Sequence, residues 1–124
     1  MRQLPLKYSK IIPFPGFYAI TWFGKIYRRP SYKDTPISKT TMNHEGIHVC
    51  QAEDFCKGFF GYILFYILYG IEYFIKIILS VFLNTKAYYS ISFEQEAYEN
   101  QNRYFYQDTR VKFAWKKYIF KMVK

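Results

Sequence analysis

The N-terminal third of the chain alternates short apolar runs with prolines and glycines. Three prolines interrupt residues 1–16, and because each proline removes a backbone donor and disfavours helix in the residue before it, we expect an extended segment there. An aromatic and β-branched run at 17–23 is separated by a Gly-Lys pair from a second run at 26–29. This pattern predicts a β-hairpin, and the Pro, Ser, Asp and Thr content of residues 30–36 predicts a loop after it.

Four helical segments are predicted after the hairpin. Apolar spacing and capping residues place them at about 41–56, 59–83, 92–107 and 109–123. The first helix has Ser38, Thr40 or Thr41 as a candidate N-cap. The third has Ser92, because a serine oxygen can accept from the free backbone donors of a first turn. The predicted fold class is therefore α+β, mostly α, in a single small domain spanning residues 1–124.

Residues 59–83 form the most hydrophobic segment, with Glu72 and Lys76 as its formal charges. At 1.5 Å per residue, a helix of this length would extend about 37 Å, enough to cross a bilayer. The charged pair at i and i+4 disfavours a centre that faces lipid, since a charge at the bilayer centre costs about 2.5 to 3.5 kcal/mol on insertion scales. The pattern leaves two interpretations, a helix buried in a small bundle and a helix inserted in a membrane.

The last predicted helix, residues 109–123, is basic and amphipathic. Its apolar stripe consists of Val111, Trp115, Tyr118 and Met122, and lysines at 112, 116, 117 and 121 cover much of the rest. Aromatic residues beside lysines are typical of helices on anionic membrane surfaces. A helix that packs its stripe on the core and exposes its lysines has the same pattern, so both interpretations stay open.

Composition adds a charge pattern to these elements. The chain has 18 Lys and Arg against 9 Asp and Glu, a net charge of +9, and 23% of its residues are aromatic, which excludes a disordered chain. Residues 1–39 have 8 basic and 1 acidic side chains, residues 40–102 have 3 and 7, and residues 103–124 have 7 and 1. The positive charge favours an anionic membrane surface as partner. Nucleic acid is disfavoured, because the chain has no recognisable nucleic-acid-binding motif.

The cysteines and the N-terminal residues indicate in which cellular compartment the protein is expected. Cys50 and Cys56 are six positions apart on one predicted helix, about 9 Å along its axis and about 120° around it, so they cannot readily form a disulfide with each other. Arg2, Lys7 and Lys10 resemble the start of a signal peptide, but prolines break the apolar stretch after them and no small-residue cleavage site follows. We therefore expect an unexported protein, in the cytoplasm or at the cytoplasmic face of the inner membrane.

Residues 44–48 read His-Glu-Gly-Ile-His, the H-E-x-x-H pattern. On a helix His44 and His48 lie one turn apart and about 40° around the axis, so both imidazoles can reach one zinc ion. Glu45 projects about 100° from His44, where its carboxylate can contact a water on the metal without binding the metal itself. The pattern predicts two zinc ligands and a general base.

A catalytic zinc site needs a third protein ligand, and the chain offers Asp54, Glu94 and Glu96. Asp54 follows His44 by ten residues, where a pattern similar to that of metzincins, H-E-x-x-H-x-x-G-x-x-H/D, would have its last ligand, and that pattern needs a glycine at position 51. Position 51 is glutamine, so a continuing helix would carry Asp54 about 120° away from the ligand face. Asp54 is therefore the least favoured of the three.

Glu94 and Glu96 lie about 200° apart on the predicted third helix, so only one of them can face the metal. Glu94 shares its face with the small Ala97, which would let this helix approach the histidine helix closely. Glu96 shares its face with Asn100 and Arg103, a stripe typical of a solvated surface. We favour Glu94 as the third ligand and keep Glu96 as the alternative; an acidic first turn that complements the helix dipole would explain either residue without a metal.

The pattern His44-Glu-x-x-His48 followed by Glu94-x-x-Ala97 resembles the gluzincin class of zinc metallopeptidases. It is most similar to the membrane peptidases related to the CAAX prenyl protease and the bacterial heat-shock protease, and to small bacterial H-E-x-x-H proteins. Those peptidases carry an E-x-x-A-D segment whose Glu is the third zinc ligand, which maps onto Glu94. Their Asp falls on Tyr98 here. The resemblance implies a minimal zincin site, formed by the H-E-x-x-H helix and a Glu-bearing helix, with one zinc ion per chain.

Further polar residues can complete a hydrolytic site. Gln51 lies one turn past His48 and can orient that ligand. The candidates to stabilise negative charge on a substrate carbonyl are Tyr98, Tyr104 and Arg103. In this arrangement the metal lowers the pKa of its water toward about 7, and the general base accepts the proton.

Two functional hypotheses follow from these residues. The first is a zinc-dependent metallopeptidase that acts on a peptide or protein at or near a membrane. A chain of 124 residues has few residues with which to line a deep substrate cleft, so a partner chain could contribute to the cleft. The alternative is a noncatalytic membrane-surface or partner-binding protein with a structural or vestigial zinc site.

Overall fold

The computed structural model describes residues 1–10 and 20–124, and its N-terminal part is a small three-stranded sheet. The strands are β1 (Leu6–Tyr8), β2 (Ile20–Trp22) and β3 (Lys25–Arg28), in the order β1-β3-β2. β2 and β3 pair antiparallel, which confirms the hairpin; residues 17–19 of the predicted first strand lie outside the described residues. β1 pairs parallel with β3, a pairing that the proline pattern did not predict.

The rest of the described chain is mostly helical, so the predicted α+β class with mostly α content is confirmed. The α-helices are α1 (Lys39–Phe55), α2 (Phe59–Leu83), α3 (Ala87–Ser90), α4 (Ser92–Asn100) and α5 (Tyr106–Thr109), and 3₁₀ turns cover Pro30–Tyr32 and Ala114–Tyr118. Ser38 is the N-cap of α1, because its Oγ accepts a hydrogen bond from the Thr41 N at 3.0 Å. The bounds of α2 coincide with the predicted ones, since its long apolar pattern is local.

Ser92 is the first residue of α4 and not its N-cap, and the helix is capped from another element. Glu72 of α2 accepts hydrogen bonds from the Ser92 N at 2.8 Å and from the Ser92 Oγ at 2.6 Å, so its carboxylate meets the positive end of the helix dipole. α4 also ends at Asn100, seven residues earlier than predicted. The Asn43 Nδ2 donates to the carbonyl oxygens of Asn100 and Gln101, which satisfies acceptors at the helix end.

The predicted amphipathic helix over 109–123 is wrong. α5 ends where that helix should begin, and Ala114–Tyr118 forms a 3₁₀ turn. Two residues that contact the Asp54 carboxylate have non-helical backbone. Arg110 is extended and pairs with Asp54. Phe113 has a left-handed φ of 61°, and its backbone N donates a hydrogen bond to Asp54 at 3.0 Å. These tertiary contacts override the apolar periodicity of the segment.

The hydrophobic core lies between α1, α2 and α4 and is closed by the C-terminal segment. Its buried members are Ala52, Phe65, Ile91, Phe93 and Trp115. At the junction of α1 and α2 the two helices can approach closely because Gly61 has no side chain. A Cβ at this position would lie 1.9 Å from the Cys56 carbonyl oxygen. This packing sets the first turn of α4 against the middle of α1.

α2 has one face toward the protein and one face toward the outside. The inner face includes Phe65 and Tyr69, and also Lys76, whose Nζ donates to the carbonyl oxygens of Ser90 and Lys121 at 2.7 and 2.8 Å. The outer face is apolar and exposed. Within the described residues, α2 is the one helix long and apolar enough to cross a membrane, and 11% of its most apolar stretch is buried. The described residues therefore cover the inner face of α2 and leave its outer face exposed.

Candidate metal centre

The middle of α1 supplies two buried histidines. His44 and His48 lie one turn apart, and each is 7% exposed. Their rings meet edge to face with centroids 4.9 Å apart, and their Nε2 atoms lie 3.3 Å from each other. The helical spacing of the H-E-x-x-H pattern thus brings two imidazole nitrogens to one point.

The first turn of α4 adds a carboxylate at the same point. Glu94 is 3% exposed, and its Oε1 lies 3.1 Å from the His44 Nε2 and 3.2 Å from the His48 Nε2. The three ligand atoms all lie within 4.8 Å of one another. Since imidazole nitrogens and carboxylate oxygens are common donors to divalent metals, this buried group could bind a metal ion.

The cluster is also a buried charge pair. Burial by itself lowers the pKa of His48, but the adjacent Glu94 carboxylate outweighs burial and raises that pKa to about 9. Burial raises the pKa of Glu94, and the two histidines outweigh this effect and hold that pKa below its usual range. Glu94 is therefore ionised at neutral pH, and a positive charge beside it, on His48 or on a metal ion, stabilises it in the interior.

Each ligand side chain is also held by a hydrogen bond outside the cluster. The His44 Nδ1 lies 3.0 Å from the Gln101 Oε1, the His48 Nδ1 lies 2.8 Å from the Gln51 Oε1, and the Tyr69 hydroxyl donates to the Glu94 Oε2 at 2.6 Å. When each Nδ1 donates to its glutamine oxygen, both Nε2 lone pairs are directed into the cluster. Helical spacing predicts the contact of Gln51, whereas no local pattern marks Gln101 or Tyr69, because their partners lie on other elements.

The other two candidate ligands, Glu96 and Asp54, lie in a separate buried ion cluster. Arg110 donates from Nε to the Glu96 Oε2 at 2.8 Å and from Nη1 to the Asp54 Oδ1 at 3.0 Å. Glu96 is 0% exposed and Asn100 on its face is buried too, so the prediction of a solvated stripe is wrong for these two residues. The stripe looks polar in the sequence because its partner, Arg110, comes from a distant part of the chain.

A cavity of about 260 Å³ lies beside the metal-ligand cluster, with walls mainly from β2, α1 and α2 and one residue each from α3 and α4. Glu45, His48 and Glu94 lie in this wall, and the rest is mostly aromatic and aliphatic. Glu45 is half-buried and accepts a hydrogen bond from the Thr21 Oγ1. The glutamate of the H-E-x-x-H pattern therefore faces the same space as two of the ligand side chains.

Tyr98 is the residue nearest the cluster among those considered for charge stabilisation. Its ring packs edge-on against the ring of the first histidine, with centroids 4.5 Å apart. Tyr98, Tyr104 and Arg103 all lie outside the lining of the cavity, and the last two make their hydrogen bonds elsewhere. Four tyrosines that sequence spacing does not mark line the cavity: Tyr62, Tyr66, Tyr69 and Tyr88.

The hydrogen bond from Tyr69 to Glu94 gives a testable effect on metal binding. We expect Tyr69→Phe to weaken zinc binding about tenfold, because the carboxylate loses a donor that orients it. Isothermal titration calorimetry of the purified chain with zinc measures the change. Tyr73→Phe, on the same helix and in ring contact with Tyr69, is the matched control and should bind zinc like the wild type. Equal affinities for Tyr69→Phe and the wild type would contradict the orienting role.

In comparisons with known proteins, no protein-family model, no curated protein and no solved structure matches the chain. The features that bear on function are therefore the cluster of His44, His48 and Glu94 and the cavity beside it.

Proposed function

We propose that the protein is a zinc-dependent metallopeptidase. The observation that best supports this proposal is the convergence of His44, His48 and Glu94 beside a cavity that Glu45 also lines. Three protein ligands of these types leave one position of a tetrahedral zinc ion for water or substrate. The resemblance to the gluzincin pattern supports the same assignment, with one zinc ion per chain.

The chemistry of the donors favours zinc over the hard cations. Magnesium and calcium prefer sites made of oxygen ligands, whereas two imidazole nitrogens and one carboxylate oxygen are a common zinc set. When bound, zinc supplies a Lewis acid that polarises a carbonyl group and lowers the pKa of water. The hydrogen bonds from Gln101, Gln51 and Tyr69 would hold the three ligands in place for that ion.

Glu45 is the proposed general base. Its carboxylate lies in the cavity wall next to His48 and Glu94, outside the group of ligand atoms. The hydroxyl of Thr21 donates to its Oε2, which restricts the direction in which the carboxylate points. Glu45 can therefore accept a proton from water in the cavity as that water attacks an amide carbonyl, and it can return the proton to the leaving amine nitrogen as the C–N bond breaks.

The wall of the cavity indicates the class of peptide that it would accept. Trp22, Tyr62 and Tyr66 contribute aromatic surface beside the proposed base. Such a wall favours a large apolar or aromatic side chain next to the bond that is cut. β2 lies at one edge of the described sheet and also contributes to the wall, and an extended peptide can pair with a strand in that position.

Glu45→Gln tests the proposed activity. We expect this variant to bind zinc like the wild type and to hydrolyse peptides about 10² to 10⁴-fold more slowly, because an amide cannot accept the proton. The probes are fluorescein-labelled casein and quenched-fluorescence peptides with an aromatic residue beside the scissile bond. Glu53→Gln, on the same helix but paired with Arg2, is the matched control and should keep full activity. Full activity of Glu45→Gln would exclude this residue as the base.

A noncatalytic protein with a structural zinc ion is the second candidate function. The low exposure of the ligands favours it, since structural zinc sites are closed to solvent. In that case zinc would raise the unfolding temperature, and neither the wild type nor Glu53→Gln would cut any of the probes. A vestigial site would bind no zinc at all.

A further inference from the structure

The outer face of α2 is a continuous apolar surface. A single stripe along this face consists of Phe60, Ile67, Ile71, Phe74, Ile78 and Phe82, with exposures between 45% and 80%. The stripe covers 22 residue steps, or about 33 Å of helix. Soluble monomers rarely expose contiguous apolar surface on this scale, so a partner that excludes water from it is expected.

Exposed lysines lie at the start of this face. Lys57 lies two residues before the first residue of α2. Lys25 follows the β2–β3 turn, which is held on the first turns of α2 because the ring of Phe23 stacks on that of Phe59 with centroids 5.5 Å apart. Both lysine side chains are exposed.

More exposed lysines lie at the far end of the face. The Lys86 N donates to the Val123 carbonyl oxygen at 2.7 Å, and the Lys76 Nζ donates to the Lys121 carbonyl oxygen, so the C-terminal segment is held beside the last turns of α2. This segment carries Phe120, which is 96% exposed, together with exposed lysines at 116, 117, 121 and 124. The apolar face is thus bordered by positive charge at both ends, which is complementary to anionic lipid headgroups.

The inner face of α2 decides how such a surface can meet a membrane. Glu72, near the middle of the helix, is turned inward to Ser92, and Tyr69 is turned inward to Glu94. The buried polar groups of α4 therefore contact the middle of α2. A crossing orientation would carry these buried ionic groups to the centre of the hydrocarbon, where charges are costly. An orientation parallel to the membrane keeps them outside it.

We infer that the outer face of α2 lies in the interface of an anionic lipid bilayer, with the helix axis parallel to the membrane plane and the rest of the chain on the aqueous side. The exposed stripe, the flanking lysines and the inward polar residues all favour this orientation. None of them depends on zinc binding or on peptidase activity. Membrane association and the metal centre are therefore separable by experiment.

Vesicle flotation of the full chain tests the partner. We expect binding to phosphatidylcholine vesicles that contain about 30% phosphatidylglycerol, and at least about tenfold weaker binding to phosphatidylcholine alone, because the lysines need anionic headgroups. Added salt should weaken the binding to the mixed vesicles. No binding to either vesicle would overturn the inference.

Two pairs of substitutions test the face. Phe74→Gln with Phe82→Gln should lower vesicle affinity at least about tenfold, because two large side chains no longer enter the interface. Phe105→Gln with Val111→Gln is the matched control: these residues are 78% and 75% exposed, lie outside α2 and should not affect binding. All four side chains are exposed, so circular dichroism should show unchanged folding. Unchanged binding by the first pair would overturn the assignment of this face.

Thiol labelling distinguishes a parallel helix from a crossing one. Cys56 is exposed just before α2, and Lys86 is exposed just after it. In a Cys50→Ala, Lys86→Cys variant bound to vesicles from outside, a membrane-impermeant maleimide should label both thiols. Protection of one thiol until detergent is added would show a crossing helix and overturn the parallel orientation. A wild-type dimer that Phe74→Gln with Phe82→Gln dissociates would assign the face to a second copy of the chain instead.

Discussion

We expect Glu94→Gln to reduce zinc binding at least about a hundredfold, because the amide cannot replace an ionised carboxylate between two imidazoles. Substitution of residues that merely orient a metal ligand typically costs between about tenfold and a hundredfold in affinity, so loss of a ligand should reach or exceed that range. His44→Ala and His48→Ala should have effects of the same size. Elemental mass spectrometry of protein purified without chelator or metal-affinity resin measures the zinc content, with about one ion per chain expected for the wild type.

The matched control for this prediction is Glu99→Gln. Glu99 lies on the same helix as Glu94 but accepts a hydrogen bond from Tyr118 and lies outside the metal-ligand cluster. Its substitution should leave the zinc content at the wild-type level. A wild type that takes up no zinc at micromolar concentration would contradict the metal site itself, whereas zinc retained by Glu94→Gln would contradict the ligand assignment alone.

Arg110→Met should have the largest effect on stability. The side chains of Arg110 and Asp54 are each 5% exposed and that of Glu96 is 0% exposed, so the substitution leaves two buried carboxylates without their cation. Breaking such a buried ion pair typically costs about 3 to 5 kcal/mol, a large part of the total stability of a small domain. Urea unfolding, followed by circular dichroism, measures the free energy of unfolding.

Arg103→Met provides the comparison for the Arg110 substitution. Arg103 is exposed and donates to the Asn100 side chain, so its loss should change the free energy of unfolding by less than about 1 kcal/mol. If Arg110→Met were as stable as Arg103→Met, the buried ion cluster would not be a stabilising element. The Gln51 Nε2 also donates to the Glu96 Oε1 at 3.0 Å, so the ion cluster holds in place the glutamine that contacts His48. The Arg110→Met variant should therefore bind zinc more weakly as well as unfold more easily.

The local features of this protein follow from short stretches of its sequence. A serine cap and the periodicity of the H-E-x-x-H segment predict α1 and the approach of His44 and His48, because both depend on contacts within one or two turns. The same holds for α2, whose apolar run predicts both of its ends. The residues that share a helix face with each glutamate also favour Glu94 over Glu96, and Glu94 lies beside the histidines.

Other features depend on contacts between residues that are far apart in sequence. The C-terminal periodicity predicts a helix, yet Arg110 and Phe113 bind Asp54 and make the segment irregular. The sequence around Glu96 predicts a solvated residue, because its partner Arg110 lies 14 positions away in the chain. Likewise, no pattern near Tyr69 predicts that its hydroxyl donates to Glu94. Side-chain spacing reports which residues share a face, but it does not report which distant residue lies opposite that face.

The sequence by itself therefore determined the two long helices, the hairpin and the pair of histidines, since hydrogen bonds and spacing within a few residues are sufficient for them. The tertiary structure alone decided which polar groups hold the ligands, which acidic residues are neutralised by Arg110, and that α2 turns its charges inward and its apolar stripe outward. These outcomes depend on the packing of α1, α2, α4 and the C-terminal segment against one another. The free energy of burying a charge or an apolar side chain depends on its neighbours in space, which are not its neighbours in the chain.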